Sequence, residues 1–229
     1  MANIRPYEGK QPTLEEQALI IERAKYAVGV GSSLTDRGFG VKRLPSDLFD
    51  WIKCRLDLTW YNGKRLFEPE WKNPASSVDD GQIIHESWFR SDGSIETEPR
   101  IVTWVNAYDP AYKDLLWTLL PLHEEWAGIP LAPTEAYGPR VYLAGSVLAR
   151  HVDKPDTHIV ASTITIETST TEPWPFVIEN HSGECYAIEA EAGEMVLFES
   201  SRLPHCRPEP LRAESYIGLF LHYKPRRAS

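Results

Sequence analysis

From Gly138 and Pro139 onward the chain is a succession of short apolar segments closed by turns, a pattern that leaves few folds open. The segments fall at about 140–151, 157–168, 174–180, 184–190, 194–200 and 214–223, with "NHSGE" and "EAGE" between strands as glycine-containing turns. A single short strand cannot bury its own apolar face, so many of them with close turns predict a sandwich or jelly roll. In "THIVASTITIET" the alternation of strand side chains puts Val160, Ser162, Ile164 and Ile166 on one face and Ala161, Thr163 and Thr165 on the other. The first face is built to pack. The second is small and hydroxylated, and suits either the lining of a lumen or a solvent-facing surface.

The first half is mixed. Thr13 and Glu16 form a capping box, and Leu14, Ala18, Ile21 and Val28 follow at helical spacing toward Gly29. Ser46 opens a second helix whose Leu48, Trp51, Ile52 and Leu56 mark one buried face. Residues 57–107 alternate Pro, Gly, Asp and Ser clusters with short apolar pieces, predicting loops and a few strands. Asp109 and Pro110 then start a helix through "AYKDLLWTLLPLHEEWAG", with Leu116, Leu119, Leu120 and Trp126 as its stripe and a kink expected at Pro121. His123 near that stripe reads as a packed or surface histidine.

A chain of 229 residues is long enough for one sizeable core, and nothing in it marks a second. The expectation is one domain over 1–229, with 1–137 flanking a core at 138–224. No apolar run approaches the roughly 20 residues that span a bilayer, and the N-terminus lacks the features of a secretory signal, which predicts a cytoplasmic protein with no membrane partner. Cys54, Cys185 and Cys206 are odd in number and lack metal-ligand spacing, as expected in a reducing compartment. A net charge of −9 argues against broad nucleic-acid binding, the basic "YKPRRAS" tail notwithstanding. Of eight tryptophans, Trp51, Trp60, Trp71, Trp88 and Trp104 lie in the first half, as core packing or as the lining of a pocket.

Within "LARHVDKPDTH", His151 and Asp153 are one residue apart and, on a strand, project to the same side with Val152 turned away. Alone, such a pair arises by chance. His205, fifty-four residues later in "SSRLPHCRPEP", supplies a second imidazole from another strand. Two neutral imidazoles and a carboxylate on one face of a metal, with the other positions open, are the donor set that selects non-haem Fe(II) for oxygen chemistry.

With these residues in view, "RVYLAGSVLARHVDKPDTHIVASTITIE" and "GEMVLFESSRLPHCRPEPL" resemble the Fe(II)- and 2-oxoglutarate-dependent oxygenases of the prolyl 4-hydroxylase-like group, over roughly residues 138–224. The resemblance implies an α+β chain whose core is a double-stranded β-helix (jelly-roll, cupin-like) with N-terminal and flanking helices. It implies His151, Asp153 and His205 as iron ligands, Tyr142 as a residue holding 2-oxoglutarate, and Thr165 as a neighbour of the same carboxylate. The chain departs from the group in one respect. Where many members carry Lys or Arg nine or ten residues after the distal histidine, this sequence has Glu214 and Ser215. A buried carboxylate needs a cation, so Arg207 is the first candidate for the anchor, Arg212 the second and Arg150 the third. His158 and His222 are expected to be structural, His158 with a small chance of touching substrate.

The implied activity is hydroxylation of a C–H bond, with Fe(II) bound and with 2-oxoglutarate and O2 as co-substrates, giving succinate and CO2. Asp153 argues against a halogenase, since related halogenases carry a small residue there. The expected substrate is a small molecule or amino-acid derivative, with a peptide as the alternative. A non-catalytic metal-binding jelly-roll module, or a β-sandwich interaction protein whose tryptophans mark a partner surface, are readings from other classes.

Overall fold

The computed structural model describes residues 1–9, 33–55, 86–89, 95–96, 110–169 and 172–226. The helix expected from Thr13 to Gly29, Leu56 and most of 57–107 lie outside them. Twelve described strands are β1 (Asn3–Pro6), β2 (Phe39–Arg43), β3 (Glu86–Phe89), β4 (Ile95–Glu96), β5 (Leu131–Leu143), β6 (Ser146–His151), β7 (Val160–Thr168), β8 (Phe176–Glu179), β9 (Cys185–Glu189), β10 (Glu194–Phe198), β11 (His205–Arg207) and β12 (Ser215–Pro225). The described helices are α1 (Ser46–Arg55) and α2 (Pro110–Ala127).

The strands form two sheets, ordered β1-β9-β8-β11-β6-β3-β4 and β2-β10-β7-β12-β5, with antiparallel pairing throughout. The architecture is mostly antiparallel sheet with few helices, a jelly-roll-like core. Strands from before residue 138 join both sheets, and four of them, β1 to β4, are short or lie at edges where alternation is weak in the sequence. The stretch 140–151, expected as one strand, is two. Ala144 and Gly145 turn between β5 and β6, with Gly145 at φ 86°, a conformation that costs a glycine little.

Alternation along the central strands divides the core into layers. On β10, Met195 and Leu197 face the helices and Val196 and Phe198 face the opposing sheet. The helix-side layer joins Ile52 of α1 and Leu115, Leu116 and Leu119 of α2 to Ile164, Leu219, Leu221 and Tyr223. Full burial of one such leucine is worth about 2 kcal/mol. The Tyr223 hydroxyl donates to the Leu116 carbonyl at 2.9 Å, which satisfies a phenol that would otherwise be a buried cost. The inter-sheet layer joins Phe39, Ala161, Val196 and Phe198 to Phe176, Ile178 and Ile188. Both faces of β7 are therefore buried, and the solvent-facing alternative for Thr163 and Thr165 is corrected, because the second sheet covers them. No described helix is long and apolar enough to cross a membrane.

Candidate functional site

β6 ends on His151 and β11 begins on His205, and the two residues are register partners across the antiparallel pair. Direct pairing puts both imidazoles on one side of the sheet, with ring centroids 4.3 Å apart. Asp153 reaches the same place by a different route from the one expected. It lies past the end of β6, and its backbone N–H leaves the ladder to donate to the Ser200 carbonyl at 2.9 Å. Val152 is fully buried and turned away, so the H-x-D projection holds although the strand does not continue.

One ligand atom each from His151, Asp153 and His205 lies within 4.8 Å of the others. Asp153 Oδ1 is 3.7 Å from His151 Nε2 and 3.8 Å from His205 Nε2. The His205 Nδ1–H donates to the Leu203 carbonyl at 2.9 Å, which leaves the Nε2 lone pair aimed at the cluster. Burial, with the neighbouring His151, lowers the His205 pKa to about 3, so its imidazole is neutral and able to ligate at pH 7. Burial pushes Asp153 up, but contact with His222 and the proximity of His205 and His158 outweigh it and hold the carboxyl well below its ordinary range. Two imidazoles and one carboxylate are the donor set that fits a divalent first-row ion.

Arg207 follows in β11 after a register shift, and is buried at 4% exposure. Its guanidinium donates to the Trp174 carbonyl and, at 2.9 Å, to the Tyr216 hydroxyl, and lies over the rings of both, 4.6 and 4.5 Å from the centroids. Among the described residues it has no carboxylate partner. A buried cation is costly without an anion, so these surroundings suit a negative group. Tyr142 packs against Trp174 and Tyr216 in the same cluster, 5.0 and 6.2 Å between ring centroids. Thr165 Oγ1 hydrogen-bonds the Tyr216 hydroxyl at 2.8 Å. Tyr142, Thr165 and Arg207, separate in sequence, thus meet around Tyr216 and Trp174.

The other arginines lie elsewhere. Arg212 is exposed. Arg150, one residue before His151, takes the opposite face of β6 and pairs with Glu179. Glu214 is also exposed, just before β12. Tyr216 and Trp174 were not anticipated. The signals available were Tyr216 standing two positions past Glu214, hence on its face of a strand, and the lone tryptophan of "EPWPF". His123 is fully buried against Ser162 Oγ at 2.8 Å, as a packed histidine. His222 and His158 stand behind Asp153, with His222 Nε2 3.6 Å from Asp153 Oδ2 and the two imidazole centroids 3.9 Å apart.

No family model and no curated protein matches the chain. Solved structures do. A prolyl-4-hydroxylase from Pseudomonas putida superposes with a TM-score of 0.55 at 17% identity, covering 87% of this chain and 99% of that one. AviO1 from Streptomyces viridochromogenes Tue57 gives 0.53 at 16%, covering 96% and 99%. A 2OG-Fe(II) oxygenase family oxidoreductase from Burkholderia pseudomallei gives 0.51 at 12%, covering 98% and 95%. The fold is one found in 2OG-Fe(II) oxygenases. EctD from S. alaskensis, solved with 2-oxoglutarate and 5-hydroxyectoine, has the same oxygenase fold at 0.53 and 13%, covering 98% of this chain and 84% of that one.

Proposed function

We propose that the protein is a non-haem Fe(II)- and 2-oxoglutarate-dependent dioxygenase that hydroxylates a C–H bond of a small molecule or amino-acid derivative. In this reading the chain forms one domain whose residues 138–224 make up a double-stranded β-helix. His151, Asp153 and His205 hold the iron, which supplies oxygen activation coupled to decarboxylation of the oxoacid to succinate and CO2. Arg207 neutralises the far carboxylate of 2-oxoglutarate, and its planar fork suits a bidentate contact. Tyr142, Thr165 and Tyr216 offer hydroxyls to the same end, and the Trp174 and Tyr216 rings keep water from the ion pair, which strengthens it. The three free cysteines fit a reducing compartment such as the cytoplasm, where iron stays ferrous.

The observation that carries the proposal is the pairing of a three-residue metal donor set with a buried arginine, two residues from one of its histidines, that has no carboxylate partner among the described residues. EctD, solved with a hydroxylated small molecule, and the prolyl-4-hydroxylase share the fold, which accommodates either substrate class. Anaerobic addition of Fe(II) and 2-oxoglutarate should produce a weak visible charge-transfer band, and air should then yield succinate. A wild-type protein with neither band nor succinate is not this enzyme. A metabolite panel scored by stimulated succinate release identifies the substrate, and a peptide that stimulates where metabolites do not selects the peptidyl hydroxylase instead.

A further inference from the structure

The two oxygens of Asp153 face different surroundings. Oδ1 is turned to His151 and His205, at 3.7 and 3.8 Å, and Oδ2 to His222 Nε2, at 3.6 Å. A carboxylate free to rotate offers a metal either oxygen or both. One whose second oxygen faces a fixed ring nitrogen, here at ion-pair distance, favours ligation through the other oxygen.

His222 is itself held in place. It lies on β12 between two neighbours, opposite Glu135 of β5 and Ala161 of β7 in register. Its ring stacks on His158 at a centroid distance of 3.9 Å. His158 is pinned in turn. Its Nδ1 is 2.6 Å from Thr157 Oγ1, its carbonyl accepts from Ser200 Oγ at 2.7 Å, and its Nε2 is 3.8 Å from Glu135 Oε2. Thr134 Oγ1 lies 2.7 Å from both the His222 and the Thr157 carbonyls, joining the two backbones that carry the pair. Ser200, whose hydroxyl fixes His158, also accepts the Asp153 backbone N–H, so one residue fixes both ends of the chain of contacts. Packing alone does not call for a second imidazole beside the carboxylate, since a leucine of similar volume fills a core position without a polar cost.

We infer that His222, backed by His158, is a positioning residue for the metal centre that confines Asp153 to ligation through Oδ1. The inference rests on the metal role of Asp153 proposed above, and concerns which residue aims that ligand.

The test is binding of Co(II) alone, anaerobically and without 2-oxoglutarate, to the wild-type chain, His222→Leu and His222→Gln, read by affinity and by the visible d–d spectrum. Folding is checked by urea midpoint at the same pH. Removing a contact that orients a ligand typically costs about 10- to 100-fold in metal affinity. His222→Leu should lose that much and change the spectrum, and His222→Gln, whose amide can donate to Oδ2, should recover most of both. Wild-type affinity in His222→Leu, or equal losses in the two variants, overturns the inference and leaves the metal site standing. If His222→Leu does not fold, the Gln variant decides, since a loss of about tenfold or more there also overturns it. A wild-type chain that binds no Co(II) overturns the metal site and the inference together.

Discussion

His205 and His151 stand directly opposite each other across the β6–β11 pair, their rings 4.3 Å apart. The juxtaposition is made by strand register, so each imidazole is presented by backbone hydrogen bonds as well as by its own packing. Replacing either removes one of three donors. His151→Ala should abolish the Fe(II)/2-oxoglutarate band and lower divalent-metal affinity by more than the roughly 10- to 100-fold typical of an outer contact. Metal titration of the variant checks it, and retention of near wild-type affinity would remove His151 from the ligand set.

Arg207 and Arg212 are separated by five residues and by burial. Arg207→Ala should raise the apparent requirement for 2-oxoglutarate by about 2 to 5 kcal/mol in binding terms, the scale of a charge-assisted contact to a buried carboxylate. Arg212→Ala, at an exposed position, should leave it unchanged. Equal effects of the two variants on 2-oxoglutarate dependence would rule out Arg207 as the anchor.

The Tyr216 hydroxyl links Thr165 and Arg207, at 2.8 and 2.9 Å. Tyr216→Phe keeps the ring over the guanidinium and deletes both contacts. The expected cost is about 1 to 3 kcal/mol in 2-oxoglutarate binding, with Co(II) binding untouched, because the proposed role of the hydroxyl is toward the anion and not the ion. Paired titrations of co-substrate and metal separate the two effects.

Burial lowers the His123 pKa from 6.5 to about 4, the backbone contact to Leu119 opposing it only in part. Above pH 6.5 the ring is neutral in both folded and unfolded chains and no stability depends on it. Between pH 6.5 and about 4 the unfolded chain takes up a proton that the folded chain refuses, so stability falls with falling pH by up to about 3 kcal/mol. His205 and His158, both lowered to about 3, push in the same direction. Urea unfolding of the wild-type chain and of His123→Gln across this window should show a shallower acid slope in the variant, and identical slopes would contradict the assignment.

Much of the core was legible because it obeys period two. The alternation on β7 separated its two faces, and Ile52, Leu116 and Leu119 fell on buried helix stripes as their spacing required. The edge strands "NIRP" and "FGVKR" carry no comparable pattern, since a strand at an edge is fixed by its neighbour's open hydrogen bonds rather than by its own faces. The turn at Ala144 and Gly145 was masked by apolar residues on both sides of it. At the site, the convergence of His151, Asp153 and His205 could be suspected from spacing. The proximity of His222 to Asp153 could not, because it follows from the registers of β5, β7 and β12, which no local pattern encodes. Trp174 and Tyr216 join the site only because the fold sets the Arg207 guanidinium over both rings.

The fifty-three residues between His151 and His205 make the proposed metal site a clasp as well. An ion gripped by both fastens two stretches that an unfolded chain keeps apart, so occupancy is drawn from the folded form alone. A metal at a hundred times its dissociation constant then adds about 2.7 kcal/mol to the fold. Chelation should register as a lower melting temperature before any substrate is known, and the heat resistance of the protein then becomes a gauge of how full the proposed metal site is.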